Sequence, residues 1–465
     1  MDHRMQRFFQ SIQDQRVAFC GIGVSNAPLV AMFLQKGAKV TVRDRRTREQ
    51  MGDLADQMAR QGAQLRLGKD YLADLCQEDV VFRTPGMRYM MPELEEARRA
   101  GVAVTSEMEV FFDLCPCPIF AVTGSDGKTT TTSIIAELFR AAGKTVHLGG
   151  NIGRALLPLV EEILPGDVAV VELSSFQLIS MRQSPQVAVV TNLSPNHLDV
   201  HKDMAEYIGA KKNIFLHQNA FCRAVLNQDN EITAQFAAET RGQTLMFSRR
   251  EKPLSGAFLR EDGSICMSMR GKEFPILKAS DIRIPGNHNI ENYLAAISAV
   301  WGFVPAEIMA GVAKSFPGVE HRAEFVRELG GVKYYNDSIA TSPTRTISGT
   351  LSLYDRKIIL IAGGYDKKIP FDSLGPVMVD KVKTLILLGV TADKIEAAVK
   401  AAPDYKEGCP AIVRVAGMEE AVAAARAAAQ NGDIVSLSPA CASFDMYPNF
   451  EARGEHYKDI VNRLA

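Results

Sequence analysis

The stretch TGSDGKTTTT, residues 123–132, sets glycines, a lysine and a row of hydroxyls in an order that can grip phosphate. It follows the apolar run IFAV and leads into SIIAELFRAAG. There Ile134, Ile135, Leu138 and Phe139 share one helical face, and Gly143 stands where a helix would end. Strand, glycine loop and helix in succession aim backbone N–H groups and the positive end of a helix dipole at one point, which favours a bound phosphate. Lys128 can then reach the terminal phosphates of a nucleotide, and the Thr129 hydroxyl can bind Mg²⁺. Only Ser125 and Asp126 separate Gly124 from Gly127, a tighter spacing than the common phosphate loop carries. Asp126-Gly127 alone could be a hairpin turn without chemistry, but the helical pattern that follows argues against it.

Two further side chains belong with this loop. Glu172 ends the apolar run DVAVV, and His197 lies just beyond VAVVTNL, in NLSPNHLDVH. Ligands of open parallel sheets bind beyond the carboxyl ends of the strands, so both are expected in the loop's crevice. A carboxylate and an imidazole there could hold Mg²⁺ beside ATP. Taken singly, Glu172 reads as a cap or ion-pair residue and His197 as a structural histidine. Lys211, in YIGAKKNIF, reads on its own as an exposed helix lysine.

The elements that must position these groups are short apolar runs alternating with stretches of helical period: VAFCGIG, AKVTVRD, IFAVTG, DVAVVEL, VAVVTNL, KIILIAGG and TLILLGV. Runs apolar on both sides suit parallel strands covered on both faces, so the fold class is α/β. The 465 residues exceed one ordinary core, and at roughly 150 residues per domain about three are expected. Pro-rich CPCP near residues 113–118 and FPG near 315–322 mark the breaks, giving segments 1–115, 116–318 and 319–465.

A hydrophobic fraction of 46% with 23% charged residues is that of a globular protein. Lys plus Arg number 53 against 54 Asp plus Glu, which leaves no bulk charge to hold nucleic acid. The N-terminus lacks the apolar core of a signal peptide, and no apolar run approaches bilayer length, so neither export nor membrane insertion is expected. Eight dispersed cysteines, with only Cys115 and Cys117 close, fit thiols in a reducing cytoplasm.

The shortened GxxGKT loop followed by more threonines resembles the Mur ligase family, ATP-dependent amide-forming enzymes of peptidoglycan precursor synthesis. Further matches follow in order: GGNIG at 149–153, ELSSFQL at 172–178, GNHNIEN at 286–292, HR at 321–322 and YNDS at 335–338. The resemblance implies a Rossmann-like N-terminal domain, a central P-loop-type ATPase domain and a Rossmann-like C-terminal domain. It implies that Gly124, Ser125, Asp126, Gly127, Lys128, Thr129 and Thr130 cradle ATP, with Asn292 at the adenine, Arg322 at the phosphates and Asp337 at the ribose. Two Mg²⁺ ions are implied, held by Thr129, Glu172, His197 and a Lys211 that carries a carbamate formed from CO₂.

Within the family, GGYDKKIPF at 363–371 and LSPACASFDMYPNFEARGEHY at 437–457 are similar to the members that add D-glutamate to UDP-N-acetylmuramoyl-L-alanine. Thr341, Lys367, Ser443 and Phe450 would then surround D-glutamate. The CGIGVSNAP turn, with Gly21, Gly23 and Ser25, would hold the UDP diphosphate. Asp44, Arg45 and Arg46 would lie near the uracil, and Asn151 would face the sugar-linked part. Ile339 stands where many relatives carry lysine, with Lys368 as a replacement cation. A cytoplasmic monomer is expected.

Folylpolyglutamate synthetase shares the loop and the Phe316-Pro317-Gly318 element but not a UDP-binding first domain. A nicotinamide-dependent oxidoreductase would use Gly21, Gly23 and Asp44, yet Asn26 stands at the third glycine position and the 124–129 loop would go unused. A nucleotide sensor would need ATP binding without turnover.

Overall fold

The computed structural model describes residues 3–23, 25–194 and 201–465. The chain divides into two compact units, Met1–Asp281 with Glu291–Val312, and Ile282–Ile290 with Ala313–Ala465.

The first unit holds two parallel sheets. In the N-terminal sheet the strands run in the order Gln64–Leu67, Lys39–Asp44, Arg16–Cys20, Val80–Arg83 and Ala103–Thr105. The order reverses direction at Arg16–Cys20, and the crevice beyond such a switch point is where open α/β sheets bind ligands. Phe19, Phe33 and Phe82 fill the core beneath it, with ring centroids 4.9–5.2 Å apart.

The second sheet orders its strands Gln243–Phe247, Arg223–Asn227, Val187–Val190, Ile119–Thr123, Val168–Glu172 and Val146–Gly150, all parallel. Ile119–Thr123 and Val168–Glu172 are buried at every residue. This accounts for their unbroken apolar sequence, since helices cover both faces of a central parallel strand. The helix Lys128–Ala141 buries Ile134, Ile135, Leu138 and Phe139. Gly143, at φ +77°, closes it while Lys144 N donates back to Phe139 O. A small antiparallel sheet, Gly256–Leu259, Ser264–Met269 and Lys272–Lys278, follows; it was not foreseen, because its strands lack the long apolar runs of the parallel sheets.

The second unit is built on strands ordered Glu324–Leu329, Val332–Asn336, Ile434–Leu437, Ile358–Ala362, Val382–Leu387 and Ala411–Arg414. The first pair is antiparallel and the others are parallel. Two helices, Met418–Ala428 and Phe450–Arg463, bury Ala421, Val422, Ala425, Tyr457, Ile460 and Val461. Among the described residues no helix is long and apolar enough to cross a membrane.

Candidate active site

The phosphate-type loop is held in shape from both sides. Gly124 has φ +151°, and a Cβ there would fall 1.9 Å from Thr191 Oγ1. Gly127 has φ +76° as the N-cap of the loop's helix, and its Cβ would fall 2.3 Å from Asn292 Oδ1. Both positions therefore demand glycine for conformation and for space. Ser125 N donates to Asn192 O at 2.8 Å, Asp126 N to Asn192 Oδ1 at 3.0 Å, and Thr191 Oγ1 to Asp126 O at 2.6 Å. Ser125 Oγ meets the Tyr207 hydroxyl at 2.9 Å and accepts from Ser194 N at 3.0 Å. Sequence reasoning had not singled out Thr191, Asn192 or Tyr207, which carry no motif of their own; the first two matter because the strand Val187–Val190 ends beside the loop, and Tyr207 reaches it from the helix Met204–Leu216.

Lys128 Nζ donates to Ser125 O at 2.8 Å, folded over the loop. Thr129 is half-buried in the first turn of the helix and Thr130 is buried. Asn292 accepts from Thr131 Oγ1 at 3.2 Å, which places this residue against the loop's helix.

Glu172 pairs in register with Val122 across the adjoining strands, one residue before Thr123. The residue is 1% exposed. Asn151 Nδ2 donates to Oε1 at 2.6 Å, while Oε2 is buried with no hydrogen-bond partner among the described residues. A buried carboxylate oxygen without a donor is costly and calls for a cation or a proton. Asn151, expected at the sugar-linked part of a substrate, thus also orients this carboxylate.

Lys211 is not the exposed helix lysine that its local sequence suggests: it is 2% exposed. Its ammonium donates to Gly124 O at 2.9 Å and Thr123 Oγ1 at 3.1 Å, and lies 5.0 Å from the Tyr207 ring centroid. Burial, and next the charge of Lys128, pull its pKa down to about 7 against the opposing pull of Glu172 and Asp126. His197 lies outside the described residues. Close by, His201 is buried, stacked on Phe176 at 5.2 Å and bonded to Ser175 Oγ at 2.9 Å and Glu206 Oε2 at 3.1 Å.

At the N-terminal sheet, Gly21 has φ +80° and packs on Thr84. Asp44 is buried and accepts from Ile22 N at 2.8 Å and from Arg46 Nε at 2.9 Å. Burial alone would raise its pKa, but these bonds from Arg46 and Ile22 hold it below the usual carboxylate range. Arg46 also donates to Ile22 O at 2.7 Å, so the Asp44–Arg46 pair ties the glycine turn to the neighbouring strand end. Arg45 is exposed and Ser25 half-buried. Asn26, in place of the third glycine, donates to Gly21 O at 3.0 Å and braces the turn by itself.

In the second unit, Asp337 is buried and accepts from Thr350 Oγ1 at 2.6 Å, Ser438 Oγ at 3.0 Å and Ala323 N at 3.2 Å. Burial outweighs these bonds and lifts its pKa to about 6. Arg322 is half-buried and acts electrostatically on Asp337. Lys367 Nζ donates to Thr341 Oγ1 at 3.3 Å, which brings together two of the residues expected to meet D-glutamate. Lys368 has its backbone N–H on Asp366 Oδ1 at 2.7 Å. Ser443 is buried, and Phe450 opens the last helix.

Arg453, 2% exposed, joins the loops that carry these residues. It donates to Ser338 Oγ at 3.0 Å, Ser338 O at 2.9 Å, Ala442 O at 3.0 Å and Cys441 O at 3.1 Å. Ser338 Oγ in turn donates to Phe450 O at 2.8 Å. Burial lowers the Arg453 pKa to about 10 against the opposing pull of Cys441, Asp445 and Tyr447. In the sequence it is one charged residue among many on an amphipathic helix.

Three family profiles match successive parts of the chain: a Mur ligase MurD-like N-terminal domain at residues 15–106, a Mur ligase middle domain at 122–300, and a Mur ligase glutamate ligase domain at 321–441. The chain is 51% identical over 466 residues to the UDP-N-acetylmuramoylalanine–D-glutamate ligase of Acetivibrio thermocellus, covering 100% of both chains. It is 48% identical over 464 residues to the ligase of the same name from Clostridium botulinum, again covering 100% of both. Among solved structures, the crystal structure of UDP-N-acetylmuramate-alanine ligase from Thermotoga maritima is similar with a TM-score of 0.58 at 16% identity, over 96% of this chain and 99% of that one. A pseudomurein peptide ligase type C from Methanothermus fervidus gives a TM-score of 0.54 at 19% identity, over 97% and 100%. At such identities these two likenesses speak to the fold alone.

Proposed function

The chain belongs to the Mur ligase family, and from that premise we infer that it is an ATP-dependent ligase that adds D-glutamate to UDP-N-acetylmuramoyl-L-alanine in peptidoglycan precursor synthesis. The observation that carries this is end-to-end identity of 51% with a D-glutamate-adding relative, joined to a glycine loop whose carbonyl is capped by the buried Lys211.

In this assignment residues 1–115 take the UDP moiety, 116–318 take ATP and 319–465 take D-glutamate. Gly124–Thr130 present backbone N–H groups to the phosphates, and Lys128 and Arg322 spread charge on the phosphoryl group as it moves to the alanine carboxylate. Asn292 serves the adenine and Asp337 the ribose. The resulting acyl phosphate is attacked by the amine of D-glutamate, forming the amide and expelling phosphate. Ser25, Asp44, Arg45, Arg46 and Asn151 hold the UDP substrate, and Thr341, Lys367, Ser443 and Phe450 hold D-glutamate.

The orphaned Oε2 of Glu172, the Thr129 hydroxyl and a carbamate on Lys211 form an oxygen-rich donor set that suits Mg²⁺, with His197 as a further ligand. Two such ions would neutralise phosphate charge. Lys211 is placed for a carbamate because its amine is buried beside the loop and has no carboxylate partner of its own among the described residues. Such an enzyme acts in the cytoplasm, where ATP and nucleotide-linked precursors are found, and it needs no second subunit.

The test is phosphate release from ATP with UDP-N-acetylmuramoyl-L-alanine, comparing D-glutamate with L-glutamate, D-aspartate, L-lysine and diaminopimelate, with product mass measured. Turnover and a matching amide with D-glutamate alone is the expected result. Turnover with another amino acid instead would overturn the acceptor assignment, and ATP binding without any turnover would favour a sensor.

A further inference from the structure

Two cations flank one tight turn in the second unit. Ile339 O accepts from Thr341 N at 2.8 Å, closing a tight turn over Ile339–Thr341. Arg345 Nη1 donates to the same carbonyl at 3.4 Å, and Lys367 Nζ donates to Thr341 Oγ1 at 3.3 Å. Both side chains are exposed, and among the described residues neither faces a carboxylate within ion-pair distance. Their neighbour Lys394, by contrast, is bound to Asp366 at 2.6 Å. A guanidinium held only by one long bond to a carbonyl keeps most of its donors for another acceptor.

The support beneath Arg345 is rigid. It lies on the short helix Pro343–Thr346, whose last residue is fully buried. Ser438 Oγ donates to Asp337 Oδ2 at 3.0 Å and lies 3.0 Å from Thr346 Oγ1, which anchors this helix to the sheet. A side chain on such an anchored turn can be presented with little loss of order on binding.

We propose that Arg345 binds one carboxylate of the acceptor amino acid while Lys367 binds the other, so that the turn between them selects a dicarboxylate. The proposal rests on the D-glutamate assignment above and adds to it a residue that none of the motifs contains. Charge-assisted bonds from a guanidinium are among the strongest a carboxylate can accept, and a monocarboxylic amino acid would leave one of the two cations unused.

Arg345→Ala and Arg345→Lys in the full-length chain test it, with KM measured for D-glutamate, ATP and UDP-N-acetylmuramoyl-L-alanine. D-glutamine and D-isoglutamine, each with one carboxylate replaced by an amide, serve as competitive inhibitors. In Arg345→Ala the KM for D-glutamate should rise about ten- to a hundredfold. The other two KM values and the melting temperature should stay unchanged, and Arg345→Lys should recover part of the loss. The weakening should vanish for one of the two amides, the one lacking the carboxylate that Arg345 meets. An unchanged KM for D-glutamate, a rise shared by all three substrates, or equal weakening of both amides would overturn the proposal. Wild-type enzyme unable to use D-glutamate would overturn it together with the acceptor assignment, a failure recognisable because it appears before any substitution.

Discussion

Asn151 Nδ2 bonds Glu172 Oε1 at 2.6 Å and so turns the carboxylate's other oxygen into a buried position without a donor among the described residues. A side chain at the edge of the sheet thereby decides which atom of an interior acid is available. Asn151→Ala should leave Glu172 free to rotate and weaken its hold on a cation. The expected outcome is an activity that needs about tenfold more Mg²⁺ for half-saturation, with the melting temperature little changed, read from a Mg²⁺ titration of phosphate release. An unchanged Mg²⁺ dependence would separate Asn151 from metal binding.

Lys211→Ala should lose nearly all activity, because the site loses the amine that a carbamate would form on. Short carboxylic acids, which could occupy the space vacated by the lysine, should restore part of it. Loss without any rescue would point to a structural role for the buried amine on Gly124 O and Thr123 Oγ1.

Gly124→Ala puts a methyl group 1.9 Å from Thr191 Oγ1 at a backbone φ of +151°. The loop must move, at a cost of about 1–3 kcal/mol for backbone strain alone. ATP affinity should fall at least about tenfold, measured by calorimetry, whereas binding of the UDP substrate should hardly change.

Glu107 offers a pH test of stability. It is buried, accepts from Leu156 N at 2.8 Å and Leu157 N at 2.9 Å, and burial raises its pKa to about 7 in spite of those bonds. Between about pH 4.5 and 7 the folded state therefore keeps a proton that the unfolded chain has released, so this residue's contribution to stability falls as pH rises through that window. The loss amounts to something on the order of 3 kcal/mol. Glu107→Gln should flatten this dependence, so that the variant gains on the wild type as denaturation midpoints are compared from pH 5 to pH 8. Parallel curves would show that the carboxyl does not titrate there.

Arg453→Lys exchanges a fork that serves four acceptors for a single ammonium. It should cost about 2–4 kcal/mol of stability and raise the KM for D-glutamate, since the Ser338 and Cys441–Ala442 segments would lose their common tie. Denaturant unfolding and steady-state kinetics measure the two effects.

Much of this molecule is written locally. The seven apolar runs are strands because each carries enough β-favouring apolar surface to be buried on both faces, and Gly143 ends its helix because a left-handed turn is needed there. The glycine loop is equally local, since its geometry follows from a strand, two glycines and a helix in immediate succession. The acceptor-side motifs could be placed by resemblance, but they gave no role to Arg453, which bonds Ser338 Oγ and three backbone carbonyls, and they do not include Arg345, which bonds the Ile339 carbonyl.

By itself, then, the sequence determined the α/β class, the alternation of apolar strands with helical stretches and the phosphate-type loop, because each depends on neighbours along the chain. Tertiary structure alone decided that Lys211 is buried against Gly124, that Asn151 steers Glu172, and that Arg453 ties Ser338 to Cys441 and Ala442. These pairings join residues far apart in the chain. The burial that depresses one pKa or leaves one oxygen without a donor exists only once separate strands have been brought side by side.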